Sequence, residues 1–159
     1  MSLKLTAEHL RLICAHAETT YPQECCGLLL GKRNQEYKTL VEVVATENTW
    51  SAQATASFQE IDANLDLGTN KSSHYTIAPE VMLRVQKQAR DRQLDIIGIY
   101  HSHPDHPAIP SEFDRVCAWQ TYSYMIVSVP QGKADELLGW SLDNNHQFQP
   151  EEIVVEKLI

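Results

Sequence analysis

The chain has 159 residues, 43% of them apolar, 8% aromatic and 21% charged, the make-up of a globular chain built around one core rather than of a disordered, collagenous or coiled-coil one. Thirteen Lys and Arg against 21 Asp and Glu leave a net charge of -8, which excludes a global basic field for gripping phosphate backbones, so no nucleic-acid partner is expected. The deficit is uneven: residues 134–159 hold six acids (Asp135, Glu136, Asp143, Glu151, Glu152 and Glu156) against Lys157 alone, and the rest of the chain is only mildly acidic.

From the start of the chain, Lys4, Glu8 and His9 stand where a signal peptide has an apolar block, and no later run approaches the ~20 apolar residues of a membrane helix. No membrane partner and a cytoplasmic location are therefore expected. Leu10, Ile13, Cys14, Ala17 and Tyr21 recur at helical spacing and predict a helix over 6–20 with Thr6 as its N-cap. Past Pro22, the apolar run from Cys26 to Gly31 reads as a buried strand, paired through a polar turn at 32–36 with a second strand over 37–46. Residues 47–74 lose periodicity and read as a polar excursion, in which Phe58, Ile61 and Leu65 have the spacing of a short helical stripe. A short strand over 75–77 should follow, and then a helix from Pro79 to about Gln93 with Val81, Met82, Val85 and Ala89 on its apolar face. Ile96 to Tyr100 is the strongest strand signal and reads as central. A helix over 111–119, a strand over 124–130 and an antiparallel pair over 136–142 and 147–155 complete the order. This order predicts an α/β fold over residues 1–159 as a single domain, a mixed β-sheet of about six to eight strands sandwiched by helices.

The central strand continues into His101-Ser102-His103-Pro104, and residues two apart on a strand face the same way, ~6.6 Å apart along the chain. Asp114 follows eleven residues after His103, with Ser111 one helical turn before it. Two imidazoles and one carboxylate make a three-ligand zinc set that leaves a tetrahedral position for water, as catalytic rather than structural zinc requires. Hydrolysis at such a centre also needs a base outside the ligand set, for which Glu24, at the entrance to the first buried strand, is a candidate. Other readings of the same residues stand beside this one. Ser111-x-x-Asp114 is also a capping-box pattern, and both roles are compatible. His106 is a conceivable third histidine ligand, ranked below Asp114 as a substrate-side or merely exposed residue. Cys25 or Cys26 with His101 would make a cysteine hydrolase, but burial raises a thiol's pKa, so core cysteine is the better expectation. The four cysteines, Cys14 and Cys117 included, show no C-x-x-C spacing and are expected to be free thiols. His9, His16, His74 and His146 lack partners at ligand spacing and are expected at the surface, whereas Trp50, Trp119, Trp140 and Tyr100 are expected in the core or at an interface.

Taken together, Glu24 ahead of Cys26-Gly27-Leu28-Leu29, then H-x-H-P, six residues, and S-x-x-D resemble the JAMM (MPN+) zinc metallopeptidases at every position of that family's motif. The match looks most like the short bacterial single-domain members and spans roughly residues 6–129. The resemblance implies the JAB/MPN, cytidine-deaminase-like architecture. It also implies Zn2+ held by His101, His103 and Asp114, with Glu24 as acid/base and Ser111 as the residue that stabilises the oxyanion. The implied substrate is an amide or isopeptide adduct at the Gly-Gly C-terminus of a ubiquitin-like or sulfur-carrier protein, a carrier-cysteine adduct included. The excursion at 47–74 is longer and more polar than the resemblance to the short members implies, and in larger relatives an insertion in this region contacts the ubiquitin-like partner. Phe58, Ile61 and Leu65 are therefore expected to bear on substrate choice. The rival readings are a non-catalytic scaffold of the same fold, whose members usually lack motif residues, and a relative acting in DNA repair, which the acidic balance opposes.

Overall fold

The computed structural model describes residues 1–50, 71 and 73–157. Phe58, Ile61, Leu65 and most of the expected excursion lie outside the described residues.

The elements in chain order are β1 (Ser2–Thr6), α1 (Ala7–Thr20), β2 (Cys26–Arg33), β3 (Tyr37–Thr46), α2 (Pro79–Asp91), β4 (Asp95–Pro104), α3 (Glu112–Cys117), β5 (Ser123–Val129), β6 (Leu137–Leu142) and β7 (Phe148–Glu156). Among the described residues the seven strands form one mixed sheet in the order β1-β3-β2-β4-β5-β6-β7, and β7 pairs with β1 to close it into a barrel. The expected α/β class with helices on both sides holds. What the sequence reading missed is β1 and the closure, since Leu3 and Leu5 alone alternate there and the five residues become a strand only by pairing in parallel with both β3 and β7.

Two apolar clusters lie on the two faces of the sheet. One packs Ile13 and Ala17 of α1, with Leu10, Cys14 and Tyr21 at its edge, against Leu3, Leu5, Leu29, Ile97, Tyr100 and Val127. The other packs Val85 and Ala89 of α2, flanked by Val81 and Met82, against Leu28, Leu30, Ile99 and Tyr124. Both helical stripes read from the sequence are thus the faces that are buried. Thr6 caps α1 through a reciprocal pair with His9, whose backbone N–H donates to Thr6 Oγ1 and whose ring accepts from Thr6 N–H. The β2–β3 turn is held by Asn34, whose side-chain oxygen accepts from the N–H of Glu36 and Tyr37.

Residues 75–77 do not form the expected strand. They run as a strap that meets residues 48–50 through one backbone bond, Thr49 N–H to Thr76 O at 2.9 Å, and through the side chains of Asn48 and Thr49, so no ladder develops. The third helix is shorter than expected: it starts after Ser111 and stops at Cys117, because Ala118 is extended and the N–H of Trp119 turns to Tyr124 Oη at 2.7 Å.

The acidic stretch at 134–159 is not all at the surface. Glu151, counted above in the acidic tail, is 7% exposed inside the barrel and accepts from Ser123 Oγ at 2.9 Å, while Ser123 Oγ accepts from the buried Lys38 Nζ at 2.8 Å. Burial lowers the Lys38 pKa and raises that of Glu151.

Candidate active site

β4 is the strand on which the site is built, buried from Ile96 onward and paired with β2 on one side and β5 on the other. Its pleat sends His101 and His103 to one face and Ser102 to the other. Ser102 Oγ accepts from Cys25 N–H at 2.8 Å, and Ser102 N–H donates to Cys25 O at 3.2 Å, which ties the chain just ahead of β2 to the interval between the two histidines.

After Pro104 the chain turns at Asp105, which has φ of 59°, a left-handed conformation that aspartate tolerates better than most side chains. Asp105 is held on three sides: Tyr21 Oη donates to its Oδ2 at 2.7 Å, Gln131 N–H donates to its Oδ1 at 2.8 Å, and its own N–H donates to Val129 O. The turn presents Pro107 O to His103 Nδ1 at 2.8 Å. A carbonyl can only accept, so Nδ1 carries the proton and the Nε2 lone pair of the neutral ring is free for a ligand.

α3 delivers the carboxylate. Ser111 Oγ accepts from Asp114 N–H at 3.1 Å and Asp114 Oδ2 accepts from Ser111 N–H at 2.9 Å, a capping box that locks the first turn and aims Asp114 at the strand. His101 Nε2, His103 Nε2 and Asp114 Oδ2 then converge, with separations of 3.1, 3.3 and 3.2 Å. Three donors ~2.0–2.1 Å from one tetrahedral centre lie ~3.3–3.4 Å apart, so the donor set has the size and chemistry for zinc. Among the described residues no fourth Cys, His, Asp or Glu joins this group, so a metal held here would keep a coordination position for water or substrate. His106 is exposed and outside the group.

The electrostatics agree with this geometry. Burial opposes the Asp114 carboxylate, but the two imidazoles outweigh it and hold the group well below the usual carboxylate range. Burial also pushes His101 down, whereas at His103 the bond and charge of Asp114 overcome burial and raise the pKa. Glu24 is 4% exposed, and burial first, then the charge of Asp114, raises it well above 4.5. It lines a cavity of about 350 Å³ with His103, Ser111, His106, Pro107, Ser73 and Ile109. Cys25 and Cys26 are buried with thiols pushed up to about 12 and about 11, so neither supplies a thiolate near neutral pH.

Several side chains around the site carry no motif signal. Tyr75 stacks on His101 with ring centroids 4.5 Å apart. His74 is buried rather than at the surface, stacked on Trp50 at 4.7 Å and meeting Phe113 edge-on at 4.9 Å, beside Asp114. His16 is likewise half-buried, with Nδ1 2.8 Å from Tyr100 Oη, whereas His146 is exposed as expected. Trp119, expected in a core or interface, is 68% exposed in this chain, while Trp50 and Tyr100 are core residues. Asn48, which no spacing singled out, is buried and bonded to the backbone of Glu24. A polar residue in a polar stretch offers no periodicity by which to find it.

Comparison with known proteins adds the following. The model of the family described as prokaryotic homologs of the JAB domain matches residues 6–143. The tail tip assembly protein K of Escherichia phage N15 is 30% identical over 121 residues, 76% of this chain, and the chain spans only 38% of that protein's length. The desampylase of Pyrococcus furiosus is 26% identical over 135 residues, 84% of this chain and 76% of the relative. The crystal structure of a JAB1/MPN domain protein from Archaeoglobus fulgidus superimposes with a TM-score of 0.52 at 15% identity, covering 97% of this chain and 99% of the other. That likeness is one of fold.

Proposed function

Because the chain belongs to the family of prokaryotic homologs of the JAB domain, we propose that it is a zinc-dependent peptidase or isopeptidase. Its proposed substrate is an amide adduct at the Gly-Gly C-terminus of a ubiquitin-like or sulfur-carrier protein. The similarity to a desampylase supports the substrate class. The observation that carries the reading is the convergence of His101 Nε2, His103 Nε2 and Asp114 Oδ2 within 3.1–3.3 Å of one another, beside a cavity that also holds Glu24 and Ser111.

His101, His103 and Asp114 would hold the metal, which supplies a Lewis acid for the scissile carbonyl and lowers the pKa of water bound to it. Glu24 takes the proton from the attacking water and returns it to the departing amine. Its buried, raised carboxyl suits this exchange, because a group that titrates nearer the working pH both accepts and gives up a proton readily. Ser111 Oγ already accepts from Asp114 N–H, so its own O–H is left to donate to the developing oxyanion. Such preorganised donors are worth about 2.7–4 kcal/mol in other enzymes. The scaffold alternative leaves the convergent donors without a use and leaves the buried Glu24 as an uncompensated cost in folding free energy.

The test is zinc analysis of the purified protein, followed by incubation with a sulfur-carrier protein bearing a C-terminal amide-linked amino acid and mass spectrometry of the product. Glu24→Gln is expected to keep zinc and lose turnover, and His101→Ala to lose both. Normal turnover in Glu24→Gln would overturn the assignment, and zinc without cleavage in the wild type would favour the scaffold or another substrate.

A further inference from the structure

Asn48 lies two residues past the end of β3 and is 7% exposed, and the chemistry above makes no use of it. Its Nδ2 donates to the carbonyls of Glu24 at 3.0 Å and His74 at 2.9 Å. Its Oδ1 accepts from the N–H groups of Trp50 at 3.0 Å and Thr76 at 3.2 Å. A primary amide has two N–H donors and one oxygen with two lone pairs, so all of its capacity is used. The partners also fix which way the amide points, because a flip would set oxygen against two carbonyls and NH2 against two N–H groups.

These four partners belong to segments that shape the site. Glu24 precedes β2 and so stands outside the sheet ladder; its N–H donates to Lys71 O at 2.8 Å and its carbonyl goes to Asn48. His74 and Thr76 flank Tyr75, which stacks on His101, and Trp50 meets Phe113 edge-on at 5.3 Å, one residue from Asp114. The Glu24 carboxylate is opposed by burial and by the charge of Asp114, so a free peptide at this position would swing it toward water. The anchoring of its backbone resists that swing.

We propose that Asn48 is a positioning residue that holds Glu24 at the cavity shared with His103 and Ser111. This rests on the reading of Glu24 as the acid/base. Asn48→Asp keeps both acceptor bonds and removes both donors. Thr49→Val is the control, because the Thr49 hydroxyl donates to Thr76 O at 3.0 Å between the same two segments without reaching Glu24.

In zinc-loaded protein, Asn48→Asp is expected to lose about 10- to 100-fold in kcat, with KM and zinc stoichiometry changed by less than about twofold, while Thr49→Val stays within about twofold in kcat. In metal-free protein, the Glu24 and Cys25 amides are expected to exchange hydrogen about tenfold faster in Asn48→Asp and at the wild-type rate in Thr49→Val. Wild-type kcat in Asn48→Asp, or equal losses in both variants, overturns the proposal. Should Asn48→Asp not fold, Asn48→Ala, which removes both donors together with the acceptor, is compared with Thr49→Val in the same way. The wild type gives a reading that depends on no variant: the Asn48 side-chain amide protons should exchange far more slowly than those of an exposed asparagine, and fast exchange overturns the proposal. If the wild type neither binds zinc nor turns over, the function proposed above fails, and the exchange rates still decide whether Asn48 holds Glu24.

Discussion

Glu24 sits where a carboxylate is disfavoured twice over, by burial and by the charge of Asp114. An unfolded glutamate titrates near ~4.3, and the folded one well above 4.5, so Glu24 stabilises the fold only while it is neutral. That contribution is fully present below the unfolded pKa and is lost as pH rises through the folded one. Metal-free Glu24→Gln should therefore melt together with the wild type near pH ~4 and above it near pH ~7, read by calorimetry across a pH series. A difference that does not change with pH would contradict this account. Ser111 permits a similar separation of roles. Ser111→Ala should cost about 1 kcal/mol of stability through the lost cap and Ser111→Gly only a few tenths. Both should lose about 10²–10³ in kcat if the hydroxyl also meets the oxyanion. Full turnover in Ser111→Gly would reduce the residue to a cap. At this scale His101 with His103, and Ser111 with Asp114, were legible as pairs because strand pleat and helical turn fix spacings of two and three, whereas Glu24, one acid among the 21 of the chain, stood out only through the family resemblance. Asn48, Tyr75 and His74 were not, because what they touch is distant in sequence.

Among the elements, the turn after β4 orients His103, a proposed metal ligand. Asp105 gathers Tyr21 from the end of α1 and Gln131 from the chain after β5, and the turn it makes presents Pro107 O to His103. Asp105→Ala should weaken zinc binding about 10- to 100-fold, as loss of an outer orienting group does elsewhere, and Asp105→Asn should restore most of it. Chelator competition measures both, and equal affinity across the three proteins would show that His103 needs no such turn. The helices α1 and α2 could be read from the sequence because each buries a stripe that repeats every third or fourth residue. β1 could not, since two leucines in five residues make no pattern until β3 and β7 lie beside them. The strap at 75–77 misled for the converse reason: its composition is that of a strand, but its N–H partner at Thr76 is a side chain.

For the whole molecule, the mixed sheet between helices follows from the order of elements, whereas the closed barrel depends on pairings between strands far apart in the chain. The closure also explains why a charge count does not show that Lys38 and Glu151 are buried: they join β3 to β7 through Ser123 of β5. Lys38 donates further to Ile97 O at the start of β4, away from the histidines at its other end. Lys38→Met should thus lower stability by about 1–3 kcal/mol, the cost of leaving buried acceptors unpaired, and leave kcat of the folded enzyme unchanged. Denaturant titration and kinetics on one preparation would check both halves, and a matching fall in kcat would show that the two ends of the strand are coupled.

The pairing of Leu3 with Ile153 and of Leu5 with Val155 also sets an order in time. A ring of strands cannot be completed by a partial chain, so a nascent polypeptide that has already made β1 and the histidine strand must wait for β7. Until then both edges at the seam stay open to other chains. Ribosome-bound chains halted before residue 148 should accordingly be sensitive to protease, and should become resistant once β7 has emerged.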